Sequence, residues 1–261
     1  MTKTDYIPVT DVRFLMKNAD LYQPKKLFLQ APDVLSDADM GRVRKIFPTA
    51  TIILDNGVIE ASNDRPVEAD TLDFIAADIR ADYVIPPDIP GSWEETLPLV
   101  EKFINTAARN HSDYRIAPII HKGKGPTGST GPSGFEPCLR YWAGVAGIES
   151  LWMVPRMYDR RYLLEMLPHR RVHLLGFSSS LREDIQLCME FDEVESIDSM
   201  RPFSLGERGI PMDVTDLFGP AMLSWRTPYE RLDMPEAGDK LVLNNIAYMQ
   251  GVFHGATTRG R

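Results

Sequence analysis

Several apolar runs in this chain end in residues that can do chemistry. Ile52-Ile53-Leu54 runs into Asp55-Asn56-Gly57, Tyr83-Val84-Ile85-Pro86-Pro87 into Asp88, and Val194-Glu195-Ser196-Ile197 into Asp198-Ser199. Ile119-Ile120 ends in His121-Lys122, Trp152-Met153-Val154 in Pro155-Arg156, and Leu174-Leu175 in Gly176-Phe177-Ser178. In α/β barrels, reacting groups collect at the carboxyl ends of the strands. Asp55, Asp88 and Asp198 are therefore expected to converge from three different strands. Clustered carboxylates in a cleft raise one another's pKa, so that one can hold a proton while another attacks as a nucleophile. The ordinary duty of an Asp after a strand is to cap the next helix or turn. Grouped carboxylates also serve glycosidases and magnesium sites.

The elements that must position these residues alternate. Candidate strands are Lys26 to Gln30, Ala50 to Leu54, Asp82 to Ile85, Arg115 to Ile120, Ser150 to Val154, Arg171 to Leu175 and Val194 to Ile197. Their starts recur at close to the spacing of about 30 residues per βα unit expected when roughly 250 residues close into an eightfold barrel. Between them lie helix starts. Ser36-Asp37-Ala38-Asp39 puts acids in the first turn of a helix toward Phe47, where the helix dipole favours them. Ser92-Trp93-Glu94-Glu95 opens Trp93 to Arg109, with Leu97, Val100, Phe103 and Ile104 on one face. Ser180-Leu181-Arg182-Glu183 repeats that cap before Ile185 and Leu187. The reading is an α/β chain: one TIM (β/α)8-like barrel over residues 1–261, irregular after the seventh strand, its eighth strand unplaced. Residues 201–238 read as loop-rich, and a last helix spans about 240–252.

Composition narrows the function classes. With 43% hydrophobic and 25% charged residues the chain has an ordinary globular make-up. No apolar run approaches the roughly 18 to 20 residues of a membrane span, so no membrane partner is expected. A net charge of −8 excludes a molecule that is basic all over, and leaves room for a local basic face. Cys138 and Cys188 are too far apart for a close-spaced zinc cluster and read as buried thiols of a cytoplasmic protein, the opening residues having no signal-like segment. Trp142, Trp152 and Met153 read as core. The stretch from Lys122 to Gly134 is rich in glycine and proline and reads as a surface loop, or as a flap over the strand ends. Cations available for phosphate contacts are Arg156 with Arg160-Arg161, His169-Arg170-Arg171, Lys122, Lys124, Arg201, Arg259 and Arg261. Of these Arg156 and Lys122 are favoured because they follow strands; for the others an ordinary solvated surface is the simpler account.

Leu54-Asp55-Asn56-Gly57-Val58-Ile59, Ala81-Asp82-Tyr83-Val84 with Asp88, Val172-His173-Leu174-Leu175-Gly176 and Ile197-Asp198-Ser199-Met200-Arg201-Pro202 follow one another as in the tRNA-guanine transglycosylase superfamily, which the chain resembles from about Leu27 to Pro202. The resemblance implies a TIM barrel that exchanges guanine in a nucleic acid for a 7-deazaguanine through a covalent sugar–enzyme intermediate. It implies that Asp198 is the attacking nucleophile, that Asp55 touches the base and assists proton transfer, and that Asp88 reads the base edge. Leu175 corresponds to the apolar residue stacked on the base, beside Gly176. Gly144 and Gly147 lie near the family's backbone donors without a firm register.

The chain departs from the family pattern. The first motif has Asn56, Val58 and Ile59 where the family has serine, a second glycine and an aromatic ring. His121-Lys122-Gly123 stands in place of a Gln-Gly, so either side chain could replace the glutamine as donor to the base oxygen. No cysteine follows Cys188, so the zinc module of the tRNA enzymes is absent. These features point to the branch of phages and DNA-modification clusters, with DNA ahead of tRNA as the polymer, a free 7-deazaguanine such as preQ0 as the incoming base, and no cofactor. Homo-oligomerisation is left open. The rival readings are a barrel hydrolase acting on a nucleoside or glycoside, a tRNA-directed enzyme and a non-catalytic member of the superfamily.

Overall fold

A computed structural model describes residues 4–35, 40–57, 66–123, 132–145, 149–178, 180–212 and 236–259. Among them, eight strands form two four-stranded sheets. The strands are β1 (Asp5–Pro8), β2 (Lys26–Gln30), β3 (Thr51–Asp55), β4 (Tyr83–Val84), β5 (Arg115–Ile116), β6 (Leu151–Pro155), β7 (Arg171–Leu175) and β8 (Val194–Ser199). One sheet has the order β1-β8-β7-β6 and the other β2-β3-β4-β5. The pairs β1–β8, β7–β8, β2–β3, β3–β4 and β4–β5 are all parallel. An α/β architecture is thus established. The chain groups into two compact units, Met1–Tyr22 with Val154–Arg261, and Gln23–Met153.

In the second unit β2 and β3 are near-continuous apolar runs, as parallel strands covered on both faces must be. Leu27, Phe28, Leu29, Ile52, Ile53 and Leu54 are all buried. The longest helix of this unit, Trp93–Asn110, starts where Ser92 accepts the Glu95 N–H, and Val100 and Phe103 of the expected face are buried. It ends at His111, in the left-handed conformation. The Ser36 to Asp39 cap lies outside the described residues; around it the chain forms helix Ala31–Leu35, a 3-10 turn Met40–Arg42 and helix Val43–Ile46. Strand Arg115–Ile116 is shorter than the run Arg115 to Ile120, because Pro118 supplies no N–H and only a bridge from Ile119 to Met153 continues the pairing.

In the first unit the strand that sequence reading left unplaced lies at the amino terminus. Asp5–Pro8 pairs with Ser196 to Ser199. Four residues ending in proline carry almost no periodic signal, and proline is tolerated there because β1 is at the end of the sheet order. Two expectations past β8 are corrected. Residues 201–207 of the stretch read as loop form a helix, Arg201–Glu207, whose Pro202 occupies the first turn where no N–H is needed; residues 213–235 lie outside the described residues. The last helix spans Glu236–Arg259 rather than 240–252 and packs Val242 and Ile246 against Phe14 and Phe203. Helix Leu181–Glu190 begins as expected, with Ser180 accepting the Glu183 N–H. Among the described residues no helix is long and apolar enough to cross a membrane.

Candidate active site

Each unit carries one cluster of polar groups at its strand ends. In the first unit the cluster is built on β7 and β8. Between Val172 and His173 the register shifts, so that Val172 faces Val194 but His173 faces Ser196. The extra residue on β8 re-aims the side chains beyond it, as β-bulges near functional sites commonly do. Ser196 and Asp198, two apart, share a face of the strand. His173 lies against both: Nδ1 is 2.8 Å from Ser196 Oγ and Nε2 is 2.9 Å from Asp198 Oδ1. A ring nitrogen facing a carboxylate carries the proton, so Nε2–H donates to Asp198 and Nδ1 accepts from the Ser196 hydroxyl.

Asp198 Oδ1 also accepts the Gly176 N–H at 2.8 Å. Its other oxygen, Oδ2, has no hydrogen-bond partner among the described residues and is not sealed from solvent. The carboxylate is thus held by one oxygen and offers the other. Gly176 has φ +65, a backbone state that most side chains avoid, and this turns its N–H toward Asp198. Leu175, the half-buried last residue of β7, precedes it, and half-buried Arg156 runs alongside, its Cδ 3.5 Å from where a Gly176 Cβ would sit.

Arg160, which sequence reading grouped with surface cations, is buried. Its Nη1 donates to Asp184 Oδ1 at 2.5 Å, and its Nη2 donates to the carbonyls of Leu175 at 2.5 Å and Gly176 at 2.6 Å. Asp184 Oδ2 takes the Ser178 N–H at 2.7 Å and the Ser178 hydroxyl at 3.0 Å. This pair pins the turn whose amide holds Asp198. Other cations of that set are also engaged, Arg161 with Glu190 and Arg171 with Glu195. Tyr6 donates to the Ser199 carbonyl at 3.0 Å, and its phenol is pushed up by burial, then by Tyr22 and Asp198, so it remains a donor.

The second unit brings Asn56, Asp88 and His121 together, all buried to within 2% of full burial. Asn56 Nδ2 donates to Asp88 Oδ1 at 2.7 Å and to the Pro86 carbonyl at 2.8 Å. His121 Nε2 lies 2.8 Å from Asp88 Oδ2, within ion-pair distance but off the line of a good ring N–H bond. Asp88 Oδ1 thus accepts from Asn56, while Oδ2 lies beside the His121 ring. Both ring nitrogens of His121 are buried without a hydrogen-bond partner among the described residues, and Nδ1 is the one that does not face Asp88. Asp55 is the half-buried last residue of β3. Lys122 is half-buried with its ammonium 5.6 Å from the centre of the Phe135 ring. The Gly-rich loop is closed at its neck by the Gly123 N–H to the Gly134 carbonyl at 2.7 Å, and residues 124–131 lie outside the described residues, as do Val58, Ile59 and Gly147.

Among the described residues no group of His, Cys, Asp and Glu is placed to hold a metal ion. The residue patterns point to no role for His173, Ser196 or Asp184, and place Arg160 among cations available for phosphate contacts rather than in the buried pair with Asp184. The period-two spacing of Ser196 and Asp198 was the available signal; the partner on β7 depends on a bulge that no local pattern announces. No protein-family model matches the chain, and no curated protein matches it.

Proposed function

We propose that this protein is a pentosyltransferase that exchanges guanine in a nucleic acid, DNA ahead of tRNA, for a 7-deazaguanine such as preQ0, through a covalent aspartyl–sugar intermediate. The observation that carries the reading is Asp198: a carboxylate at the end of β8, its Oδ1 fixed by His173 and the Gly176 N–H, its Oδ2 open. In this reading Oδ2 attacks the anomeric carbon as the bond to guanine breaks, and the leaving base takes a proton from Asp55. The incoming deazaguanine then gives its ring proton to Asp55 and attacks the same carbon, releasing Asp198. One glycosidic bond replaces another, so no redox or phosphate chemistry is called for. His121, through Nδ1, contacts the base, and Asp88 with Asn56 orients His121. Leu175 supplies an apolar face for the base, and Arg156 and Lys122 face the polymer's phosphates. The proposal includes a (β/α)8 barrel in the cytoplasm, a fold supported by the parallel strand pairing within each sheet.

The test is to incubate the protein with duplex DNA, and separately with tRNA, plus preQ0 or preQ1, then digest and identify nucleosides by mass spectrometry. A deazaguanine deoxynucleoside that vanishes in Asp198→Ala supports the reading. A modified ribonucleoside moves the substrate to RNA, an abasic site means hydrolysis, and unchanged polymer with folded protein overturns the proposal.

A further inference from the structure

Gln30 is the last residue of β2, after Leu27-Phe28-Leu29, and it is only 4% exposed. Its Oε1 is buried without a hydrogen-bond partner among the described residues. Glutamine is seldom fully buried, and a buried unpaired polar atom is destabilising, so a packing role would be better filled by methionine or leucine. Its position explains the expense. Gln30 sits at the carboxyl end of its strand, in register with Asp55 on the neighbouring strand, and ligands of parallel α/β sheets bind at that edge.

We infer that Gln30 is a ligand-contacting residue whose amide oxygen accepts a hydrogen bond from an N–H donor of a bound planar heterocycle, beside Asp55. The inference rests on the proposed base-exchange reading and deepens it: an amide can discriminate bases that carry a ring N–H or amino group from those that lack it.

The experiment compares wild type with Gln30→Met and Gln30→Leu, using calorimetric binding of preQ0, guanine and hypoxanthine together with thermal melting. The expected result is a Kd for preQ0 or guanine at least about tenfold weaker in both variants, at an unchanged or higher Tm, since a lost bond that leaves the ligand's donor unpaired costs about 1–3 kcal/mol. The penalty is smaller for whichever base lacks the donor facing position 30, a dependence that a merely structural role does not produce. Unchanged affinity in both variants overturns the inference while leaving the base-exchange reading intact, as does a Tm loss with unchanged affinity, the mark of a structural water partner. Failure of the wild type to bind any of the bases overturns the reading, and the inference with it.

Discussion

His173 and Asp198 are joined through Nε2 and Oδ1 at 2.9 Å, and the same ring meets Ser196 through Nδ1 at 2.8 Å. One fully buried imidazole is therefore oriented by a hydroxyl and in turn orients a carboxylate, the arrangement by which enzymes hold a reacting group in one rotamer.

Asp198→Asn keeps an oxygen for the Gly176 N–H and should fold, yet it lacks a nucleophilic carboxylate. Base exchange is expected to fall by at least about a thousandfold, with no covalent adduct by intact-protein mass spectrometry and a melting curve close to wild type.

Removing the ring has a graded signature. His173→Ala takes one of the two donors from Asp198 Oδ1, and a hydrogen bond to a charged group contributes about 1.5–3 kcal/mol. Exchange should drop by about ten- to a hundredfold. Ser196→Ala, which only loosens the ring, should cost less, and stopped-assay rates for the two variants order them.

The Arg160–Asp184 pair is buried on both sides, at 3% and 0% side-chain exposure. Removing one partner of such a pair strands the other's charge and costs about 3–5 kcal/mol. Arg160→Met and Asp184→Leu should each lose that much in urea unfolding, and the double variant should lose clearly less than the sum. Additive losses would show that the two side chains act independently.

Gly57 has φ +69, and a Cβ there would lie 2.2 Å from Pro32 Cδ. Left-handed backbone costs an alanine about 1 kcal/mol, and the clash with a proline ring adds to it because neither side can yield easily. Gly57→Ala is expected to destabilise by more than about 2 kcal/mol, measured by chemical denaturation.

Burial pushes the thiols of Cys138 and Cys188 up to about 12 from an ordinary 9.0. Below pH 9 folded and unfolded chains both hold these protons; above it the unfolded chain releases them while the folded one does not. Stability contributed by the protonated thiols is therefore lost as pH rises from 9 toward 12. Tyr6, Tyr22 and Tyr114, also raised by burial first, act in the same direction. Unfolding free energies at pH 8 and pH 10 should differ accordingly, and a thiol reagent at pH 8 should modify the native protein only as fast as it opens.

Much of the architecture was legible along the chain. β2 and β7 occupy the expected spans, Lys26–Gln30 and Arg171–Leu175, and the caps at Ser92 and Ser180 hold. Trp142, Trp152 and Met153 are core, and both cysteines are buried and free. These features depend on short-range patterns: apolar runs, capping side chains and bulky residues with few polar atoms. β1 escaped because its partner, β8, lies nearly two hundred positions away and the strand itself is four residues long.

The same division runs through the candidate site. The residue types at the strand ends, and hence the presence of Asp55, Asp88, His121 and Asp198 there, were determined by the sequence, since alternation and strand punctuation are local. Only the tertiary structure decided how each is used. Among the described residues Asp88 accepts from Asn56 and lies beside the His121 ring, Asp198 keeps one oxygen open, Arg160 lies buried against Asp184, and Gln30 Oε1 is left without a hydrogen-bond partner. Hydrogen bonding and desolvation are properties of an atom's whole surroundings, and those are assembled from strands distant in the chain; a single residue's identity cannot state which of its polar atoms will be satisfied.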